Sequence, residues 1–171
     1  MVHKYKVFIG LIFLSVLAVL AFQSETSNSK VNNSIAFSSG INDKIKKVFI
    51  EVWQHYESLH HYGFEVVQRR LSGSTMQAQP VIDFSQVFGT KRGYRIDVAE
   101  KVLDSGELHV ADLPEDVLRG WFAHELGHMI DYENHSNVGM IAYGIRYSLS
   151  DEYKREREHE ADSIAIRYGF K

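Results

Sequence analysis

The 171-residue chain contains no cysteine. This absence excludes disulfides and a lipid-modified cysteine anchor. Basic residues are not in excess: the net charge is −3, and without Lys4 and Lys6 the 19 basic residues fall to 17 against 22 acidic ones. Such a balance gives no support to nucleic-acid binding. The sequence also lacks an internal repeat, a Gly-rich phosphate loop and a nucleophile elbow.

The N-terminus has the pattern of a targeting segment. Lys4 and Lys6 precede an apolar run from Val7 to Phe22, and Val19 and Ala21 supply the small residues of a cleavage site. The run is shorter than the roughly 20 residues of a spanning helix, so the pattern favours a cleaved signal peptide over an anchor. We therefore expect export to the cell envelope, periplasm or medium. The alternative is membrane association through residues 7–22.

The remainder of the chain divides into two segments. Residues 23–40 are dense in Ser and Asn and read as a linker. Residues 41–171 have room for one domain with one core, and the overall composition of 44% apolar and 24% charged residues is that of an ordinary globular protein. We expect the folded domain to begin near Ile41.

Hydrophobic patterning predicts one helix followed by strands. From Asn42 to about Tyr62 the apolar residues recur with helical spacing. They are Ile45, Val48, Phe49, Val52, Trp53, Tyr56 and Leu59. Four later runs are rich in β-branched or aromatic residues and are separated by glycine-containing turns, which predicts a small twisted sheet. These runs are Phe64–Arg70, Thr75–Phe84, Tyr94–Val98 and Leu108–Val110.

The most informative motif is the run His124-Glu125-Leu126-Gly127-His128. Residues four apart on an α-helix share one face, so His124 and His128 can both direct an imidazole at one Zn²⁺, while Glu125 lies beside them. Neutral imidazole and carboxylate are ligands that Zn²⁺ accepts. The spacing therefore indicates a zinc site on a helix.

The residues before this motif favour a helix from Pro114 to about Tyr132. Asp112 is a candidate N-cap, and Pro114 suits the first turn because its missing N–H needs no partner there. Glu115 and Asp116 place negative charge where the helix dipole favours it. Apolar residues cover most of the other faces, so we expect this helix to be largely buried.

A second motif, Glu158-His159-Glu160-Ala161-Asp162, follows thirty residues later. It lies in a run of good helix formers with Ser150 as a cap and Gly169 as a stop. Glu158 and Asp162 share a face, whereas Glu160 points away from Asp162, so the spacing favours Glu158 over Glu160 as a third ligand.

Small residues allow the two helices to approach closely. Ala161 and Ala165 flank the face that carries Glu158, and Gly127 removes side-chain bulk from the histidine helix. An oxygen ligand from the second helix can therefore reach a metal held by the two histidines.

The two motifs, with Arg155 preceding Glu158 in an R-x-x-E arrangement, resemble the gluzincin metallopeptidases of the CAAX-prenyl-protease and envelope heat-shock-protease type. In size the chain is most similar to the small soluble minigluzincins. The resemblance covers roughly Leu113 to Phe170, about a third of the chain. It implies an α+β, zincin-like fold in which a small twisted sheet packs on the H-E-x-x-H helix, with a second helix bearing the glutamate.

The same resemblance implies a role for each site residue. His124, His128 and Glu158 would hold one zinc ion, Glu125 would be the general base, and Asp162 would orient a ligand histidine from outside the coordination sphere. Residues 41–171 would then be a zinc metallopeptidase domain acting on peptides or unfolded proteins.

A second hypothesis is a zinc-stabilised binding module of the cell envelope in which catalysis is vestigial. Glu125 distinguishes the two hypotheses, because a purely structural zinc site needs no carboxylate next to its first ligand and closes its fourth position with protein. The retained glutamate favours the enzyme.

Two further parts of a peptidase can be sought in the sequence. An edge strand could pair with an extended peptide, and Leu108-His109-Val110 is the candidate because it directly precedes the histidine helix. Zinc peptidases also stabilise the oxyanion with a side chain such as Tyr, His or Arg. The candidates for that role are Tyr143, Tyr147, Tyr153 and Arg155. We assign no function to the other histidines of the domain.

Overall fold

The computed structural model describes residues 35–82, 88, 92–103, 105 and 107–170. This part of the chain contains four strands and four α-helices. The strands are β1 (Ile35–Phe37), β2 (Phe64–Arg69), β3 (Met76–Val81) and β4 (Gly93–Ala99). The helices are α1 (Asp43–Trp53), α2 (Glu115–Glu133), α3 (Asn137–Leu149) and α4 (Asp151–Arg167). The α+β prediction is confirmed: a small sheet packs against α2, and α4 is the second, glutamate-bearing helix.

The four strands form one mixed sheet in the order β1-β2-β4-β3. β1 and β4 both pair with β2 in parallel, whereas β3 pairs antiparallel with β4. β3 is therefore one of the two edges of the sheet, and it contacts α2 directly. This contact brings a sheet edge close to the histidine helix.

Helix α1 ties the sheet to α2 through one aromatic residue. Phe49 is fully buried, and its ring lies 5.4 Å from that of Phe122 on α2 and 6.0 Å from that of Phe64 on β2. Ile45, Val48 and Val52 bury the rest of the same helix face. These contacts make one core that supports α2 from the side facing the sheet.

The predicted helix from Asn42 to Tyr62 is shorter in the structure. Asn42 caps α1, since its side chain accepts a hydrogen bond from the Lys44 N–H, but the helix ends at Trp53. The apolar spacing continues through a 3₁₀ helix at Glu57–Leu59. Tyr56 is held there by tertiary contact, because its hydroxyl donates to the carbonyl of Ala123 on α2 at 2.8 Å.

The linker prediction for residues 23–40 is wrong where the structure describes that segment. Ile35–Phe37 forms β1 in parallel register with Phe64–Val66 of β2, and Ser38 N–H continues the pairing to the Val66 carbonyl at 3.0 Å. The strand is a short apolar stretch inside the Ser- and Asn-rich segment, and Ile35 and Phe37 pack against the core. Residues 23–34 lie outside the described part of the chain.

Three predictions around the strands also need correction. Leu108–Val110 is not a strand: His109 makes an isolated bridge to Lys101, and Val110–Asp112 is a 3₁₀ helix. Asp112 therefore does not cap α2, whose cap position is Pro114 without a side-chain hydrogen bond. Within the described part of the predicted run Thr75–Phe84, the strand covers Met76–Val81. Residues 83–87 are outside the described chain.

The C-terminal helices match the sequence more closely. The Ser150 hydroxyl caps α4 by accepting from the Tyr153 N–H, and Gly169 follows the helix with a φ of 96°. A β-carbon on Gly127 of α2 would lie 2.6 Å from the carbonyl oxygen of Ala161 on α4. Only glycine permits this approach, because the opposing atoms belong to the main chain.

Replacing Gly127 by alanine should therefore separate α2 from α4. We expect the free energy of unfolding to fall by about 1–3 kcal/mol, as for other overpacked cores. The affinity for the metal ion that the two sequence motifs predict should fall with it, because Glu158 moves away from the histidines. Urea denaturation and zinc titration measure the two effects. The matched control is Gly120→Ala on the same helix, where a β-carbon meets nothing within 4 Å. Equal stability of the two variants would contradict the prediction.

The targeting prediction concerns residues outside the described part of the chain and stays a prediction. Among the helices that the structure describes, none combines the length and apolar character needed to cross a membrane.

Candidate metal centre

Helices α2 and α4 bring together three side chains from the two sequence motifs. His124 and His128 lie one turn apart on α2, with ring centroids 4.7 Å apart and ring planes at 89°. Glu158 reaches them from α4, and one potential ligand atom from each residue lies within 4.8 Å of the others. The group of His124, His128 and Glu158 could therefore hold a metal ion.

The distances within this group suit a small tetrahedral ion. The Nε2 of His124 lies 3.2 Å from Oε2 of Glu158, and the Nε2 of His128 lies 3.7 Å from Oε1. Two ligands bound at about 2.0–2.1 Å to a tetrahedral zinc ion would be about 3.3 Å apart. Two imidazoles and one carboxylate also form a known catalytic zinc set that leaves a fourth position for water. The residues present thus fit Zn²⁺.

Asp162 contacts the opposite nitrogen of the first histidine. Its Oδ1 lies 2.8 Å from Nδ1 of His124, one turn beyond Glu158 on α4. An acceptor at Nδ1 keeps a proton there, so Nε2, which faces Glu158, is the nitrogen that would bind a metal ion after losing its own proton. His128 is held differently: it is buried and stacks on Tyr132 with ring centroids 6.2 Å apart.

Glu125 is not part of the ligand group but lies beside it. Its side chain is only 8% exposed, and Oε2 accepts a hydrogen bond from the Ala78 N–H of β3 at 2.6 Å. Burial raises the pKa of this carboxyl, while the nearby charges of His128 and His124 act in the opposite direction. A buried carboxylate next to a candidate metal group is suited to proton transfer.

Tyr147 is the oxyanion candidate that the structure places closest to the triad. Its hydroxyl, on α3, donates a hydrogen bond to Oε1 of Glu158. Tyr143 instead donates to Asp131 at 3.0 Å, and Tyr153 packs against the guanidinium groups of Arg146 and Arg157. Arg155 is exposed on α4.

A partly buried ion pair beside the triad was missed at the level of sequence. Arg157 contacts both carboxylate oxygens of Asp131 at 3.2 and 3.3 Å, and the Tyr143 hydroxyl donates to the same group. Asp131 falls on the histidine face of α2, and Arg157 directly precedes Glu158. These two positions were the sequence features from which the ion pair could have been predicted. The ion pair joins α2, α3 and α4 and fixes the register in which Glu158 meets the histidines.

The structure also distinguishes Glu158 from Glu160 as the candidate third ligand. Glu160 lies on another side of α4 and pairs with Arg167 at 3.1 Å, whereas Glu158 is the carboxylate that meets the histidines.

The charges of the metal-free group compensate one another. Burial lowers the pKa of His124, but hydrogen bonds to Glu158 and Asp162 outweigh it and raise the pKa to about 9. Hydrogen bonds from His124 and His128 hold the pKa of Glu158 far below its usual range. In the absence of metal, a proton on His124 therefore supplies the positive charge between two carboxylates.

Zinc uptake should consequently release this proton. Zn²⁺ binds neutral imidazole, so below the His124 pKa of about 9 the metal must displace it. We expect the apparent zinc affinity to rise about tenfold per pH unit from about pH 7 to about pH 9 and then to level off. Competition with a metal indicator measures it. An affinity that is already flat above pH 7.5 would show that His124 titrates near its ordinary value of 6.5.

Comparison of the chain with protein-family models, with curated proteins and with solved structures found no match. The interpretation of the site therefore depends on the arrangement of its own residues.

Proposed function

We propose that the protein is a zinc-dependent peptidase that hydrolyses peptide bonds in peptides or unfolded proteins. The observation that carries this proposal is the convergence of His124, His128 and Glu158 with the buried carboxylate of Glu125 beside them. The side chains of His124 and Glu158 remain 24% and 37% exposed. An open group of this kind admits water and substrate, whereas a structural zinc site is closed by protein.

Each residue has a defined part in the proposed reaction. His124, His128 and Glu158 hold the ion, and Asp162 fixes the orientation and tautomer of His124. When bound, Zn²⁺ lowers the pKa of water to roughly 7 and polarises the substrate carbonyl. Glu125 accepts the proton of the attacking water and later donates it to the leaving amine. Tyr147, which is within reach of Glu158, is the side chain we assign to stabilising the oxyanion.

The substrate would lie along β3 rather than along the segment predicted from sequence. β3 is an edge strand, contacts α2 and reaches Glu125 through Ala78. An extended peptide that pairs with this edge would pass beside the triad. This arrangement replaces Leu108–Val110, which is not a strand.

The likeness of the two motifs to the gluzincins supports the same reaction class, and the apolar run at residues 7–22 supports action outside the cytoplasm. We infer an exported enzyme of the cell envelope, periplasm or medium. The second candidate is a zinc-stabilised binding module of the envelope without turnover. It uses the same three ligands, so the presence of zinc alone does not separate the two functions.

The test combines metal content with turnover on one sample. The full-length protein is purified, its zinc is counted by atomic emission, and hydrolysis of casein and of a peptide library is followed before and after treatment with a chelator. We expect about one zinc ion per chain and hydrolysis that stops with the chelator and returns with zinc. A protein that binds zinc but cleaves no substrate would support the binding module instead.

A further inference from the structure

On the outer edge of β3, the backbone N–H groups available as hydrogen-bond donors differ from one outward position to the next. In antiparallel pairing, alternate residues direct both backbone groups toward the partner strand, and the residues between them direct both groups outward. The Ala99 N–H donates to the Thr75 carbonyl at 2.8 Å, which makes Thr75 an inward position. Met76, Ala78 and Pro80 are therefore the outward positions of β3.

The N–H of Ala78 is used by one side chain. It donates to Oε2 of Glu125 at 2.6 Å, across 47 residues of sequence. This distance is shorter than the usual N–H···O separation of about 2.9 Å, and charge-assisted hydrogen bonds are shortened in this sense. Glu125 lies on α2, which is packed on α1 and α4, so the bond joins a sheet edge to the best supported helix of the fold.

A buried carboxylate needs such a partner. Glu125 is 8% exposed, and an ionised group removed from water to this extent is costly unless it is hydrogen-bonded. A main-chain donor is also fixed in direction, because it cannot rotate as a side chain does. The bond holds one oxygen of Glu125 against β3 and so limits where the carboxylate can turn.

We infer that the backbone amide of Ala78 positions Glu125 for proton transfer at the metal centre. Ala78 is a positioning residue, since it acts through Glu125. This inference rests on the proposed peptidase function for its kinetic consequence, but the hydrogen bond itself can be tested without any turnover. In the proposed reaction, loss of the N–H frees the carboxylate to rotate, which lowers kcat more than it raises KM.

The strand offers a way to remove this donor without losing a ladder hydrogen bond. Pro80 occupies the next outward position of β3 and pairs opposite Tyr94, so β3 already tolerates a proline where no ladder hydrogen bond is lost. Ala78→Pro at the equivalent position replaces the N–H toward Glu125 by a ring carbon, which also displaces the carboxylate, and leaves the ladder to β4 intact. Ala78→Gly is the matched comparison, because it changes the side chain and keeps the N–H.

The kinetic experiment compares these two zinc-loaded variants. We expect kcat of Ala78→Pro to lie about 10- to 100-fold below that of Ala78→Gly, which corresponds to losing one hydrogen bond to a charged group. KM and the zinc content should differ much less. Equal kcat values for the two folded variants would overturn the inference.

Amide hydrogen exchange tests the same hydrogen bond without measuring turnover and without a proline variant. In the wild-type protein the Ala78 amide should exchange at least about tenfold more slowly than in Glu125→Ala, where the acceptor is gone. The amides of Gln77 and Gln79, which point toward β4, serve as internal references. An Ala78 amide that exchanges at the same rate in both proteins would overturn the inference. Slow exchange in a wild type that cleaves nothing would refute the peptidase function and leave the hydrogen bond established.

Discussion

Replacing Glu125 by glutamine should lower the rate of peptide hydrolysis by about 10²- to 10⁴-fold, the usual contribution of a general base. Glutamine has nearly the same shape and can still accept the Ala78 hydrogen bond through its carbonyl oxygen. It cannot take a proton from water at neutral pH. The fold and the ligand group should therefore be preserved while the proton-transfer step fails.

The measurement is kcat/KM on the same peptide for the two proteins, with zinc content determined in parallel. Glu133→Gln is a matched control, because Glu133 is the last residue of α2, contacts Ser58 at 3.4 Å and lies outside the ligand group. Hydrolysis that persists at the wild-type rate in Glu125→Gln would remove Glu125 from the mechanism. Stability should change little, or increase, since burial raises the pKa of Glu125 and the ionised form is therefore disfavoured in the fold.

Replacing Glu158 by glutamine should cause the largest loss of zinc. A neutral amide is a poor ligand for Zn²⁺, and the exchange also removes the negative charge that balances the ion. Loss of an outer partner of a ligand already costs about 10- to 100-fold in metal affinity, so losing the ligand itself should exceed about 100-fold. Activity should fall in proportion to the zinc that is lost.

The comparison with Glu160→Gln makes this test specific. Glu160 lies two residues further along α4 and pairs with Arg167, so its replacement removes the same charge from the same helix. We expect the Glu160 variant to bind zinc like the wild type. Thermal unfolding adds a second reading: zinc at about 100 times its Kd should stabilise the wild type by about 2.7 kcal/mol and the Glu158 variant hardly at all. Similar zinc affinities for the two variants would exclude Glu158 as a ligand.

Those parts of the site that depend on helical periodicity could be predicted from the sequence. The spacing of His124 and His128, and of Glu158 and Asp162, fixes which side chains share a face whatever surrounds the helix. Gly127 and Ala161 likewise indicated a close approach, which the structure has at a main-chain carbonyl. Local rules were sufficient for the two residue pairs because the members of each pair lie about one turn apart on the same helix.

The sequence was less informative where backbone groups far apart in the chain decide the structure. β1 is specified by its pairing with β2, so its Ser- and Asn-rich surroundings gave no sign of it. The segment after Trp53 leaves the α-helix because Tyr56 finds a partner on α2. The bond from Ala78 to Glu125 involves a main-chain donor, which any residue except proline has, so no residue pattern could reveal it.

The outward side of β3 has a consequence for the behaviour of the protein at high concentration. An exposed strand edge normally invites the same strand of another copy to add to the sheet, which begins edge-to-edge aggregation. On this edge Pro80 carries no donor and the Ala78 amide is already engaged, so within β3 a neighbouring copy could receive a backbone hydrogen bond only from Met76. The same two features make β3 poorly suited to self-association, and a peptide bound on this edge would pair mainly with its outward backbone carbonyls.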